Sequence, residues 1–350
     1  MHDGSLRDIA LVQGDDAYTT LMRQLATGPM ERVPDHLGSN WEKLQYLKAR
    51  AQRLANKLAG RPATPETAII ASLVSKLVAA TKAALGDEQA VVAAVISSSD
   101  RIHLTDEELG DVFDYLKLRH LMSGPNTLYQ LYATSAAYAG YAKGLCQTYT
   151  DAYDCETEEA FLPYQRLLHL DLSAASLSGT IKSLQTVKDG SSDASFVDPD
   201  LGFGQHSGSL TTTAAEGESA YWTAVSYRIR TLVKSLNRLY MPHVSELILT
   251  GPSAADKRFQ DAVRTALQDL IATDGVLAGL DAHGQSSNGP AEWQSFLTFA
   301  TARGAAEIAK RRQEGPVSCA QSNDCKQRRE RVHHDGQRQS EFVQQQVDLA

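Results

Sequence analysis

Few of the side chains able to do chemistry in this sequence sit at spacings that make them act together. Four cysteines stand at positions 146, 155, 319 and 325. Separations of nine and six do not match a C-x-x-C knuckle, and no histidine pair completes a tetrahedral zinc set. Two local disulfides, Cys146 with Cys155 and Cys319 with Cys325, are geometrically open to the chain. With no N-x-[ST] sequon and no secretory leader pattern in Met1–Gln13, the expectation is a reducing compartment and free thiols. Ten histidines are scattered. There is no H-E-x-x-H and no G-x-S-x-G. Gly202-Phe203-Gly204-Gln205-His206-Ser207-Gly208 has one residue too many for a dinucleotide fingerprint and precedes no helix directly. His169, His206, Tyr221 and Trp222 are the candidate groups for a small-molecule reaction, but spacing alone does not converge them.

Composition narrows the partners. A chain of 350 residues, 42% hydrophobic and 22% charged, can bury a large core and divide into two lobes. Its net charge of −8 argues against nucleic acid or an anionic membrane surface. No run approaches eighteen consecutive apolar residues, so no membrane span is expected. A cytoplasmic location follows from these readings.

The elements come next. Trp41–Leu58 reads as an amphipathic helix, basic on its outer face. Thr64 caps a second helix, with Pro65 at its first position and Gly86 at its end. Ala90–Ile96 is a short apolar run, as expected of a strand buried on both faces. Thr105-Asp106-Glu107-Glu108 is a capping box opening a helix to about Leu118. A brief apolar stretch, Leu118–Met122, follows, then a turn at Gly124-Pro125 and a helix from Thr127 to near Gly144. Arg166–Leu172 and Ser176–Val187 read as strands, with Ala194–Val197 returning as a meander. Asp198–Gly217 reads as a loop and Glu218–Tyr240 as a helix stopped by Pro242. Val244–Thr250 is a strand, Ala254–Ile271 and Ala291–Arg312 are helices, and the span between them is a Gly/Ser-rich loop. From Gly315 the chain is polar and reads as a disordered tail, its basic stretch Lys326–Arg331 included. Strands alternating with helices make this an α/β protein.

The order of these parts resembles the actin-like and heat-shock-chaperone ATPase superfamily over about residues 65 to 312. Asp171-Leu172-Ser173-Ala174-Ala175-Ser176 stands where that superfamily has D-x-G-G-G-T, whose amides cradle phosphate and whose aspartate organises the metal. Leu201-Gly202-Phe203-Gly204 resembles its later L-G-G segment. Leu249-Thr250-Gly251-Pro252-Ser253-Ala254 resembles its adenosine loop, in which a helix start can face an anion or ribose. Phe299–Ala306 resembles the closing helix that bears G-A-A, and Ser135–Ala139 with Gly144-Leu145 the alanine-rich helix of the first lobe. Gly144-Leu145-Cys146, a second cysteine after Thr150-Asp151-Ala152-Tyr153-Asp154, and the L-T-G-P-S-A segment look like a group of fungal proteins remotely related to these chaperones.

The resemblance implies a two-lobed, ribonuclease H-like fold with an incomplete first lobe. Residues 1–64 would form an N-terminal helical segment, 65–165 the partial first lobe, 166–314 the second lobe and 315–350 the tail. It implies ATP or ADP with magnesium as cofactor, held by Asp171, Ser173, Gly202, Gly204, Gly251 and Ser253. The departures argue against turnover. The phosphate-turn glycines are replaced, no D-x-G-T hairpin stands near the N-terminus, and Tyr132-Ala133-Thr134-Ser135 supplies no acid to position water. In-line phosphoryl transfer needs positioned donors and a metal. The expectation is therefore a degenerate, binding or regulatory protein whose partner is a protein or small molecule. The alternatives are a cleft repurposed as a small-molecule enzyme, as in a fungal biosynthetic cluster, and an ATPase with rebuilt phosphate loops.

Overall fold

The computed structural model describes residues 6–28, 39–86, 91–123, 130–190, 192–204, 214–237, 243–270, 276–277, 289–315, 325 and 327–328. Its organising element is a four-stranded mixed sheet. Strands β5 (Gln165–Leu172), β6 (Leu177–Leu184) and β7 (Ala194–Asp198) form an antiparallel meander, and β8 (Glu246–Thr250) pairs parallel with β5, in the order β7-β6-β5-β8. Period-two alternation sends Leu168, Leu170 and Leu172 to one face and Leu167, His169 and Asp171 to the other. The first face buries its leucines under α7 (Ala214–Asn237) and α8 (Lys257–Leu267), through Val225, Ile229, Phe259 and Val263. The second is covered by α5 (Ala133–Gly140) and α9 (Pro290–Glu314), through Ala136, Ala137, Ala305 and Ile308. Both faces being covered explains why the strand reads as a nearly continuous apolar run.

Helices α5 and α9 touch backbone to backbone. A methyl group on Gly304 would lie 1.8 Å from the Ala136 carbonyl oxygen, and one on Gly140 1.9 Å from that of Ala300. The alanine-rich segments that look featureless in sequence are small because the two helices nearly touch.

The N-terminal part is helical. It comprises α1 (Asp16–Thr27), α2 (Asn40–Leu58), α3 (Pro65–Leu85) and α4 (Asp106–Leu116). Leu21 and Leu25 of α1, Ile70 and Ala71 of α3, and Leu109 and Val112 of α4 share one core. The expected caps are present: the Thr64 side chain accepts from the Thr67 amide, Gly86 is left-handed, and Thr105 with Glu108 closes a capping box. Helix α2 buries none of its residues. Arg53 and Lys57 pair with Asp111 of α4, while Leu44, Leu47, Leu54 and Leu58 stay exposed. Among the described residues α3 is the one helix long and apolar enough to cross a membrane, with 11% of its apolar window buried.

Several expectations are corrected. The 90–96 strand contracts to two-residue bridges, β1 (Ala93–Ala94) with β3 (Arg119–His120) and β2 (Ser97–Ser98) with β4 (Leu131–Tyr132), all parallel. The helix expected from Thr127 begins at Ala133, because Leu131 and Tyr132 are taken into the β4 pairing. Helix α1 was not foreseen. The acidic turn at 150–154 opens α6 (Ala152–Ala160), whose N-cap Asp151 accepts from the amides of Tyr153 and Asp154. Cys146 and Cys155 are joined in a disulfide, Cys325 is also disulfide-bonded, and no described cysteine is free, against the expected thiols. The nine-residue separation suffices because the start of α6 folds Cys155 back to a Cα–Cα distance of 5.1 Å from Cys146. Of the expected tail beyond Gly315 only Cys325, Gln327 and Arg328 are described; Cys325 is buried, and Arg328 pairs with Asp151 at 3.0 Å. Cys319, His206 and the rest of the tail lie outside the described residues.

Candidate functional site

Asp171, Ser173, Gly202, Gly204, Gly251 and Ser253 meet at the carboxyl ends of β5 and β8. The convergence is real, but most of its backbone donors already have partners. The turn after β5 closes on itself. The Ser173 amide donates to Ser176 O at 3.0 Å, and the amides of Ala175 and Ser176 donate to Ser173 Oγ at 3.3 and 3.2 Å. The 202–204 segment then lies on this turn, with the Phe203 amide on Ser173 O and the Gly204 amide on Ala174 O, both at 2.9 Å. Gly202 is glycine because a Cβ there would meet the Ala175 carbonyl carbon at 2.5 Å.

The β8 end is sealed the same way. Gly251 has φ +102°, and a Cβ on it would meet Leu172 O at 2.4 Å. Its amide donates to Leu297 O at 2.9 Å, and the Ser253 amide donates to Leu172 O at 3.1 Å. A phosphate cradle needs several amides directed at one vacant anion. Here those of Ser173, Ala175, Ser176, Phe203, Gly204, Gly251 and Ser253 are directed at protein oxygens or, in two cases, at a serine hydroxyl. These residues do not fit a nucleotide phosphate.

Beneath that turn runs a chain of polar side chains that the sequence reading did not assemble. Asp100 Oδ2 lies 2.6 Å from Thr134 Oγ1, and Thr134 Oγ1 3.0 Å from His169 Nδ1. His169 Nε2 lies 2.8 Å from Thr250 Oγ1, which lies 2.7 Å from Asp171 Oδ2. The Thr134 amide also donates to Asp100 Oδ2 at 3.0 Å. Asp100, Thr134, His169 and Thr250 are buried, while Asp171 is half-buried. Alongside, the fully buried Lys182 of β6 donates to Ser135 Oγ at 2.8 Å.

Burial governs the charges in this chain. It pulls the His169 imidazole down to about 4, so the ring is neutral at pH 7. It pushes Asp171 above the usual carboxylate range, with the Thr250 bond acting in the opposite sense. It pushes Asp100 up as well, against the Thr134 bonds and the nearby Lys182 ammonium. A half-buried single carboxyl whose charged form burial disfavours is a poor magnesium ligand. The one His/Cys/Asp/Glu cluster with metal-binding spacing among the described residues is Cys146, Cys155 and Glu159, whose sulfurs are already bonded to each other.

No protein-family model matches this sequence, and no curated protein matches it.

What stays open at this end of the sheet is apolar. A cavity of about 790 Å³ lies between α1, α3, the β1–β2 segment and α9, and Asp171 reaches its wall. Val74, Leu77, Val95, Ile96 and Ala305 contribute to the lining. Arg23, exposed at the rim, and Asp171 are the charged residue types among those lining it. The volume is that of an ordinary small-molecule site, about 300–1,000 Å³. Sequence periodicity gives a face, not a void, so the cavity had no signal. The alternation His169-x-Asp171 within an apolar strand was the one visible hint of the polar chain.

Proposed function

We propose that this chain is a binding protein built on an actin-like, heat-shock-chaperone-like ATPase architecture that does not hydrolyse ATP. Support for the architecture comes from the order of parts: strand, Asp171, meander, long helix, strand, Gly251, then two helices. Further support comes from the meeting of the six resembling residues at one end of the sheet. The observation that carries the loss of turnover is the engagement of the turn amides by protein acceptors. Phosphoryl transfer is catalysed by positioned donors and a metal, and neither is on offer at Asp171. ATP, ADP and magnesium are therefore left out of the reading, and an ATPase with rebuilt loops is disfavoured.

For the cleft repurposed as an enzyme, His169 is no accessible base, since it is locked between two threonines, and His206 lies outside the described residues. A small-molecule ligand keeps its support from the cavity. Nucleic acid is disfavoured by the net charge of −8. The Cys146–Cys155 bridge supports an oxidising compartment over the cytoplasm; counting alkylatable thiols in protein taken from its source cells tests this.

Phosphate release measured with ATP and magnesium, on the wild type and on Asp171→Ala, tests the main reading. Equal background rates are expected. A wild-type rate above background that collapses in the variant would sink it.

A further inference from the structure

We propose that the cavity beneath α1 and α3 binds an uncharged, apolar molecule through one hydrogen-bond donor, a hydroxyl or amide, that Asp171 Oδ1 receives. The inference rests on the reading of this end of the sheet as a binding site without phosphate chemistry, and it specifies the ligand.

A count of protons fixes the state of Asp171. The chain from Asp100 to Asp171 has four links, and each needs one hydrogen. Thr134 and Thr250 supply one each. A neutral His169 supplies a third. The fourth must come from a carboxyl, unless His169 is doubly protonated. A ring buried between Thr134 and Thr250 in an apolar sheet stays neutral, so one of the two aspartates is an acid.

Surroundings decide which one. Asp100 is deeply buried and its Oδ1 has no partner among the described residues, but its Oδ2 receives both the hydroxyl and the amide of Thr134 and lies in the field of Lys182. Asp171 has Thr250 alone. The negative charge therefore rests on Asp100, and the proton on Asp171 Oδ2. All the links then run one way. Asp171 donates to Thr250, Thr250 to His169 Nε2, His169 Nδ1–H to Thr134, and Thr134 to Asp100.

The consequence appears at the cavity wall. Asp171 presents a neutral carboxylic acid whose hydroxyl is committed inward. Among the described residues no protein donor reaches its Oδ1, which is left as a carbonyl-type acceptor. The rest of the lining is largely aliphatic and small hydroxyl residues, with Arg23 exposed at the rim. A cation entering would lose its hydration without gaining a counter-ion, and an anion would meet an acceptor. A neutral molecule with an apolar body and a donor at one end loses least and gains a bond.

Three probes of equal length separate the possibilities: decan-1-ol, decylammonium and decanoate. Each is titrated into the full chain by calorimetry, the alcohol below its solubility limit and the two ions below their micellar concentrations, with melting curves confirming the fold. Decan-1-ol is expected to bind, with each charged analogue at least about tenfold weaker. Asp171→Leu, which removes the acceptor and keeps the wall apolar, should weaken decan-1-ol binding at least about tenfold. Val74→Trp, which fills the cavity from α3, should weaken it at least about tenfold.

Decylammonium binding tighter than the alcohol, and lost in Asp171→Asn, would show an ionised Asp171 and overturn the proposal. So would tightest binding by decanoate, or no binding of any probe to the folded wild type. ATP with magnesium run in the same calorimeter keeps the two readings apart. Its binding would count against the proposed function and leave the ranking of the three probes to stand or fall independently.

Discussion

Two regions share Asp171 and have opposite character. On one side the 173–176 turn, the 202–204 segment and the Gly251 loop are packed backbone to backbone, with most of their amides engaged. On the other, α1 and α3 leave an aliphatic cavity of about 790 Å³. Polar backbone that would serve a phosphate is closed, and apolar surface that could be buried is open. Since orphaned polar groups are costly and voids are comparatively cheap, the contrast says where evolution could change this end of the sheet. The 173–176 turn, built of serine and alanine, satisfies itself, and the cavity beside it is lined largely by aliphatic side chains.

The largest effect tests the closed side. Gly202→Val places side-chain atoms where even a Cβ stands 2.5 Å from backbone, and is expected to cost about 3 kcal/mol or more in denaturant melts. Val74→Leu, adding one methylene on the cavity wall, should change stability by less than about 1 kcal/mol. Equal costs at the two sites would erase the comparison.

The polar chain between the regions should show itself in acid. His169 is held near 4 in the folded protein, against about 6.5 unfolded, so the unfolded state binds the extra proton first as pH falls. Its contribution is present above pH 6.5 and is lost between about 6.5 and 4. The difference in unfolding free energy between wild type and His169→Gln should change by about 3 kcal/mol across that window, favouring the wild type at the upper end. A difference flat with pH would mean that His169 is not buried neutral.

Reduction of Cys146–Cys155 reopens a short loop outside both regions, and should cost about 2–3 kcal/mol. The affinity of the cavity for decan-1-ol should be unaltered in the fraction that stays folded. The smallest effect is at the shared residue. Asp171→Asn replaces an acid with its neutral isostere and should shift stability by under about 1 kcal/mol. A loss of several kcal/mol would place a charge there instead.

The sequence made the long-period features legible. The Thr64 cap with Pro65 and Gly86, the Thr105–Glu108 capping box and the meander after Arg166 are local signals, and each reappears as an element. Helix α1 escaped because its buried face is only Leu21, Leu25 and Ala26, a stripe too thin to stand out. The six nucleotide-site candidates meet at one end of the sheet, but their amide partners were invisible, since a turn that closes on itself and one that faces a ligand share the same small residues. Asp100, Thr134 and Thr250 carried no signal at all. They lie 34 to 81 residues from the atoms they bond, and only the packing of α5 on one face of β5 and the pairing of β8 along its edge bring them into line.

Backbone amide resonances of residues 173–176 and 202–204, followed by NMR during titration with ATP and magnesium, test the central claim most directly. Amides already donating to Ser173, Ala174 and Ser176 oxygens should keep their positions up to millimolar ligand. Saturable shifts confined to those residues would mean that the turn opens to receive phosphate, and would contradict the account.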